Sequence, residues 1–388
     1  MGSYLTKGTR MIRVFESCGF EYMVLRPIKY GRDGDPVLLA ARKEYLGTAT
    51  TTVELRPLFA TQKKPAPEVK ARLSEELQLS KHLQHPNIGQ VLGYAIDGAQ
   101  SFLVLEHEPG CSLETILDAA ALVKRKVSAG FAVTVAMAIA DALDHAHRCA
   151  DEEGRPLHVV HRAVSPTNIQ ISQRGQVKLV NFGSAYSELM GRYQTPTGLL
   201  RGDAAYIAPE VLREFQTPRK RRRAAARSPP DSRADIFSLG LVLLGELTGW
   251  HPLDPPDSLE DAVSTFVLPG TRVETEPIIP LEVLAPRLVN FGSKDVDRAT
   301  KRLAVRLRRI IAKALQVDPS KRYPSALAMA DDLRGYMHDS WPQYHEGELA
   351  AETAALIRAA RKLDEHVAYG VTEPGILPTP VDVPGNIP

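Results

Sequence analysis

The sequence predicts an α+β fold in two lobes, a small strand-rich one followed by a larger, mainly helical one. Three observations carry that expectation. Between residues 21 and 60 apolar and polar residues alternate, as in Tyr22 to Leu25, Val37 to Ala40 and Thr52 to Leu55, which is the period of half-buried strands. Over Ser112 to Leu122 and Ala129 to Cys149 the apolar residues recur instead at three- and four-residue spacing, the period of helices packed on one face. The chain's 388 residues, 44% of them apolar, are enough for one large two-lobed domain with a sizeable core.

Bulk properties narrow the function. A formal charge of +2 is too small to imply a polyanion for the whole molecule, so nucleic acid is not expected as a partner. Three cysteines, Cys18, Cys111 and Cys149, are odd in number and too widely spaced for a metal-ligand pair, which suits a reducing compartment. No apolar run approaches the roughly 20 residues needed to cross a bilayer, and the N-terminus lacks a signal-peptide pattern. A cytoplasmic protein without a membrane partner is the expectation. Met1 to Thr6 formally fits an N-myristoylation pattern, but a motif this short recurs by chance.

The elements follow in order. Lys29-Tyr30-Gly31-Arg32-Asp33-Gly34 separates the first two strand-like runs, and Gly31 and Gly34 suit an ordinary hairpin turn. Val53-Glu54-Leu55-Arg56 alternates, so Glu54 and Arg56 should share a face, while a register slip would put Glu54 towards solvent. A helical pattern from Pro67 carries Val69, Leu73, Glu76, Leu77 and Leu83, and His85-Pro86-Asn87-Ile88 ends it. Ser101 to Glu106, with Leu105, reads as a buried strand. Past the two long helices, His158 to Gly183 reads HVVHRAVSPTNIQISQRGQVKLVNFG, with the β-type runs IQI and VKLV between a His-Arg pair and Asn-Phe-Gly. Residues 217–230 hold a run of basic residues flanked by Pro, which repel one another and stay unfolded; a solvated loop and a site for an acidic partner both remain open. Pro255 to Lys294 is rich in Pro and Gly and reads as loop. Glu346 to Val367 is an amphipathic helix with Leu349, Leu356, Ile357, Ala360, Leu363 and Val367 on one side, and Thr372 to Pro388 holds five prolines and is extended.

The stretch from His158 to Gly183 resembles the catalytic loop and metal-binding turn of Hanks-type serine/threonine protein kinases, with H-R-D, four spacers, Asn, a hairpin, then D-F-G. Further motifs follow in the family's order. Tyr206 to Glu210 is similar to its A-P-E segment, Asp235 to Gly240 to the start of a buried helix, and Asp318 to Tyr323 to a late D-P-x-x-R motif. The resemblance covers about 320 of the 388 residues. It implies an N-terminal extension at 1–20, a small lobe at 21–107 and a large lobe at 108–341 with the insertion 217–230. Residues 342–388 are then an appended helix and tail. It also implies structural ties: Arg162 and Phe182 in the loop, Asp235 beneath it, and Glu210 paired with Arg322. Thr195 and Thr197 fall on the corresponding activation loop, where a phosphate would dock on Arg162.

The departures from the family are chemical. Ala163 stands for the Asp that accepts the substrate proton, and Asn181 for the Asp that holds magnesium, leaving Asn168 as the one retained metal-ligand identity. Ser165 replaces the usual Lys, as in many bacterial relatives, and Asp203 replaces a Thr. Arg56 takes the place of the third-strand Lys and Glu54 the place of an apolar residue over adenine, and Glu76 is the residue that would pair with Arg56. Gly31, Gly34 and Leu105 are what is left of the nucleotide pocket, and Lys29 replaces its first glycine. The resemblance with these gaps implies a degenerate member, a bacterial pseudokinase. Such a protein is expected to have no cofactor, with ATP and magnesium binding weak or absent, and to act as a scaffold or allosteric regulator through protein partners, among them an active kinase. Two other readings stay open: a weakly active kinase or kinase-fold nucleotidyl or phosphoryl transferase, and a nucleotide or metabolite sensor.

Overall fold

A computed structural model describes residues 13–30, 36–45, 47–58, 76–98, 100–188, 204–216, 231–253, 287–288 and 290–363. The chain separates into two compact units, one of residues 1–66, 91–110 and 369–388, the other of 67–90 and 111–368.

The first unit is an antiparallel sheet of β1 (Arg13–Ser17), β2 (Phe20–Tyr30), β3 (Pro36–Glu44), β4 (Thr50–Pro57), β5 (Val91–Asp97) and β6 (Gln100–Glu106), in the order β1-β2-β3-β4-β6-β5. The alternation read in the sequence becomes β2, β3 and β4, and the structure adds β1, whose residues give no clean alternation. One face carries the core of Tyr22, Ala40, Val53, Leu55, Phe102 and Val104. Phe15 stacks on Tyr22 with ring centroids 5.1 Å apart and leans on Phe102 at 6.1 Å. The sheet curls until its edges meet: the Ile96 amide donates to Ser17 Oγ at 2.9 Å, and Arg13 pairs with Asp97. Closing the edges in this way leaves fewer unpaired strand groups open to other chains. Pro27, which has no N–H to give a ladder, lies where the β2–β3 register shifts.

In the second unit the hub is a pair of buried helices. After the short strand β7 (Gly110–Ser112), Ser112 caps α1 (Leu113–Leu122) and Ser128 caps α2 (Ala129–His147), each hydroxyl accepting an amide of the first turn. Helix α4 (Arg233–Thr248) is buried along nearly its whole length and ends at Gly249, whose φ of 82° suits a helix stop. Around these two lie α3 (Pro209–Gln216), α5 (Ser293–Thr300), α6 (Val305–Ala314) and α7 (Ala326–Ser340). Strands β8 (Ile169–Ser172) and β9 (Val177–Leu179), the predicted IQI and VKLV runs, join β7 in a three-stranded sheet. The apolar helix α2 has the length and composition of a membrane span, but its apolar residues are packed inside this core. Ser293 and Lys294, expected in loop, open α5, where the Asp295 carboxylate in the first turn accepts the Gly292 amide at 3.1 Å.

The C-terminal helix α8 (Glu346–Arg361) docks on α1 and α2. Leu349, Leu356, Ile357 and Ala360 are buried as their spacing predicts, whereas Leu363 is 65% exposed because the helix has already ended. Glu352 fastens the contact: its carboxylate accepts the Ser128 amide at 2.6 Å, the Ser128 hydroxyl at 2.7 Å and the Tyr344 hydroxyl at 2.7 Å. Gly175 is required beneath the start of α8, since a Cβ there would fall 1.9 Å from the Glu346 carbonyl oxygen. Removing the carboxylate with Glu352→Ala is expected to lower stability by about 2 kcal/mol, the scale of hydrogen bonds to a charged group. Urea unfolding checks the loss, and hydrogen exchange across 346–361 should rise with it.

One buried acid has no partner. Glu246 on α4 is 0% exposed, and neither carboxylate oxygen has a hydrogen-bond partner among the described residues. Burial pushes its pKa well above the carboxylate range. A group raised in the folded state favours folding while both states are protonated, and this advantage is lost as pH rises through and beyond the unfolded value. Glu246→Gln is therefore expected to raise the melting temperature at pH 7 and to leave it unchanged near about pH 4, where the unfolded carboxyl is also largely protonated. Equal shifts at both pH values would contradict this.

Candidate active site

The predicted site residues of the second unit converge on the loop between α2 and β8. Its frame is a buried carboxylate. Asp235, 0% exposed in the first turn of α4, accepts the His161 amide at 2.8 Å, the Arg162 amide at 2.8 Å and His147 Nε2 at 2.9 Å. Burial drives its carboxyl up, but the His147 hydrogen bond and charge, with His161 and the Arg162 amide, outweigh burial and hold it below the usual range. Arg162 has φ of 61°, a left-handed conformation that a non-glycine side chain adopts at a cost, and the Asp235 bond to its amide holds it there.

His161 links this carboxylate to the Asn181 turn. It is fully buried, and burial pushes its pKa down. Its Nδ1 accepts the Ala163 amide at 3.2 Å, so Nε2 carries the proton and donates to the Val180 carbonyl at 3.1 Å. The ring meets Phe182 edge-on at 4.6 Å. Arg162 reaches past the turn and donates to the Ala185 carbonyl at 2.8 Å. Thus His161, Arg162 and Phe182 sit together as structural ties.

Ala163, Asn168 and Asn181 lie in one hydrogen-bonded row. The Asn168 amide nitrogen donates to the Ala163 carbonyl at 2.8 Å, which turns its Oδ1 towards Asn181, whose Nδ2 donates to it at 3.2 Å. Asn181 is left-handed at φ 71°, a conformation Asn tolerates better than most residues. The Glu76 carboxylate lies against the same turn, its Oε2 2.7 Å from where a Cβ on Gly183 would stand. Ser165 Oγ is buried without a hydrogen-bond partner among the described residues. The His85 to Ile88 turn is anchored to β9: Asn87 Nδ2 donates to the Val177 carbonyl and Leu179 N to the Asn87 carbonyl, both at 2.8 Å.

Farther along this unit, Arg322 is fully buried and its fork grips both oxygens of Glu210, at 2.7 Å each, while also donating to the Arg233 carbonyl at 2.9 Å. In the first unit, Glu54 and Arg56 share a face of β4 with 3.7 Å between Oε1 and NH2. Their side chains are 12% and 25% exposed, so the alternative with Glu54 on a solvent face is set aside. Leu105 of β6 is paired in register with Glu54. Gly31, Gly34, Thr195, Thr197, Asp203 and the basic segment 217–230 lie outside the described residues.

His147 is the residue that sequence reasoning missed. Its signal was present, since Ile139, Leu143 and His147 repeat every fourth position on the buried side of α2. A histidine continuing such a row needs a buried partner.

Among the described residues no group of three His, Cys, Asp or Glu side chains is placed to hold a metal ion. The loop offers instead the amide oxygens of Asn168 and Asn181, which are hard and neutral. They suit magnesium, which takes oxygen ligands and keeps few from the protein, when its compensating charge arrives on a phosphate. On that test the donor set fits a cation carried in by a nucleotide.

A family model described as the protein kinase domain matches residues 56–333. Among curated proteins, the tyrosine-protein kinase MasK of Myxococcus xanthus is 31% identical over 278 residues, covering 70% of this chain and 36% of that protein. The serine/threonine-protein kinase PknK of Mycobacterium tuberculosis is 27% identical over 314 residues, 79% of this chain and 23% of its own length. Aurora kinase B of Danio rerio is 24% identical over 321 residues, 83% of this chain and 78% of its own. The chain spans about a third of the length of MasK and less of PknK.

These findings overturn two expectations, that the protein is not an enzyme and that it takes no cofactor. The match runs through the loop that lacks the two acids, and the relatives it joins are named as kinases, a reaction class that takes its phosphoryl group from a nucleotide with magnesium. The physical reason is that Ala163 and Asn181 remove a base and a charge but leave the loop's frame and its oxygen donors in place. With that frame intact and the family model spanning it, the chain belongs to the protein kinase domain family.

Proposed function

We propose that this chain is a nucleotide-dependent phosphotransferase of the protein kinase fold that acts slowly on a hydroxyl of a protein substrate. The observation that carries the reading is the orientation of Asn168: its amide is spent on the Ala163 carbonyl, so its oxygen faces Asn181. When bound, a magnesium nucleotide supplies the transferable phosphoryl group and part of its charge neutralisation. Asn168 and Asn181 would hold the metal through their amide oxygens, the Asn181 amide that now donates to Asn168 Oδ1 being displaced and turning its oxygen inward. Asp235 keeps the loop in register, and His161 fixes the Asn181 turn through Val180. Ala163 provides no positioned base for the acceptor hydroxyl, which accounts for a slow reaction.

The test is phosphoryl transfer from labelled ATP to a protein acceptor, with and without magnesium or manganese. Transfer that needs the metal and falls at least about tenfold in Asn168→Ala supports the reading, because that substitution removes one of only two amide ligands. Transfer unaffected by Asn168→Ala, or none with any metal, would sink it. A bacterial cytoplasmic setting belongs to the same proposal, its bacterial part supported by the relatives in Myxococcus and Mycobacterium. A second role, regulation through protein binding with an active kinase among the partners, is favoured by the loss of the base at Ala163.

A further inference from the structure

The chain's small net charge conceals a strong local one. Residues 298–313 hold seven basic residues, Arg298, Lys301, Arg302, Arg306, Arg308, Arg309 and Lys313, and no acid, so the remainder of the chain carries −5. Some are spoken for. Arg298 lies 3.7 Å from Asp295 and Arg308 4.0 Å from Asp297, Arg306 pairs with Asp339, and Lys313 sits over the Tyr323 ring. Lys301, Arg302 and Arg309 are exposed and have no ion-pair partner among the described residues.

Helix α6 buries Leu307, Ile310, Ile311 and Ala314, which leaves the opposite side to solvent. On that side Val305, Arg309 and Ala312 follow one another at three- or four-residue spacing, and Gln316, past the end of the helix, continues the row with its side chain donating to the Ala312 carbonyl at 2.9 Å. Val305 is 60% exposed, a large apolar residue set among cations. Ala312 and Gln316, at the far end of the row, line a cavity of about 470 Å³. Val296, Leu315, Val317 and Pro319 form its apolar wall, and Ser293, Arg213, Lys321 and Asp318 its polar side. The row therefore runs from the exposed Arg309 to a cavity with one apolar wall.

We propose that this face is a docking site for an acidic segment of a partner protein that carries an apolar anchor residue. Acidic side chains lie along Arg302, Arg309 and Lys321, and the anchor enters the cavity beyond Ala312. Charge complementarity argues for an acidic ligand. The cavity argues for a peptide over a nucleic acid, since none of its lining residues is aromatic and no base would find a stacking surface there. It also argues against a lipid surface, which is flat and has no use for a hole.

A fluorescein-labelled peptide of about twelve Glu and Asp residues with two central leucines is the probe, against an all-acidic peptide of the same length, a short DNA duplex and vesicles containing phosphatidylserine. Fluorescence anisotropy with the full chain is expected to show saturable binding of the leucine peptide that weakens at least about tenfold between low and moderate salt. The all-acidic peptide should bind more weakly. Arg309→Glu with Lys321→Glu, both exposed positions, should cut affinity at least about tenfold, and Ala312→Trp should erase the advantage of the leucine peptide. Val305→Asp serves as a second surface variant if the Trp does not fold, and is expected to weaken binding. No saturable binding, equal binding of both peptides, or tighter binding of duplex or vesicles would each overturn the proposal. The peptides carry no acceptor hydroxyl, so the outcome is independent of whether the protein transfers phosphate.

Discussion

Ala163→Asp is expected to raise the phosphoryl-transfer rate by about 10² to 10⁴, the contribution of a positioned general base, which is about 3 to 5 kcal/mol of barrier. The frame that would position the new carboxylate exists already. The backbone of Ala163 is held on both sides, its amide by His161 Nδ1 at 3.2 Å and its carbonyl by Asn168 Nδ2 at 2.8 Å. Neither bond involves the side chain at 163. An aspartate there therefore enters a loop whose shape is fixed by Asp235 and His161, not by itself. Ala163→Asn is the control, since it has nearly the same size and no base, and its rate should stay at the parent level. Asn181→Asp would add a negative charge among the metal donors, and its combination with Ala163→Asp should exceed either alone. Equal rates for Ala163→Asp, Ala163→Asn and the parent would show that something other than the missing base limits the reaction.

Asp235→Ala is expected to cost about 3 to 5 kcal/mol of stability, the penalty of breaking a buried charged cluster from one side. Its carboxylate accepts the amides of His161 and Arg162 and the ring of His147, and all three donors would be left in a dry interior. Arg162 would also lose a bond that holds its left-handed backbone. Chemical denaturation measures the loss, and a change under about 1 kcal/mol would mean that water replaces the carboxylate. The pH dependence has a definite sign. The folded pKa of Asp235 is lowered, so its contribution is complete above the unfolded carboxyl range and disappears as pH falls through the folded value. Acid should therefore narrow the gap between the parent and Asp235→Asn.

Much of this molecule is legible from local pattern. Strand and helix periods place β2, β3, β4, α1, α2 and α8, because side chains on one face must repeat with the backbone. Motif order makes Glu210 and Arg322 candidates for pairing, and the structure brings them together over 112 residues with a two-pronged contact. The spacing of Ala163, Asn168 and Asn181 marks the loop. What the residue types could not convey is which way each side chain turns. From the missing acids alone the site reads as dead, yet Asn168 is locked with its oxygen towards Asn181, and the Glu76 carboxylate rests on Gly183.

The sequence by itself determined the element types, the two-lobed α+β class and the loop at which the chemistry is gathered, since all of these depend on residues close together in the chain. The tertiary structure alone decided the rest. Glu352 binds the N-cap residue of a helix, Ser128, 224 residues earlier, Glu246 has no hydrogen-bond partner among the described residues, and Ala312 of α6 lines a cavity with residues of α3, α5 and the turn after α6. Each of these depends on packing between distant segments, and such contacts leave no period in the sequence because neither partner needs neighbours of any particular kind.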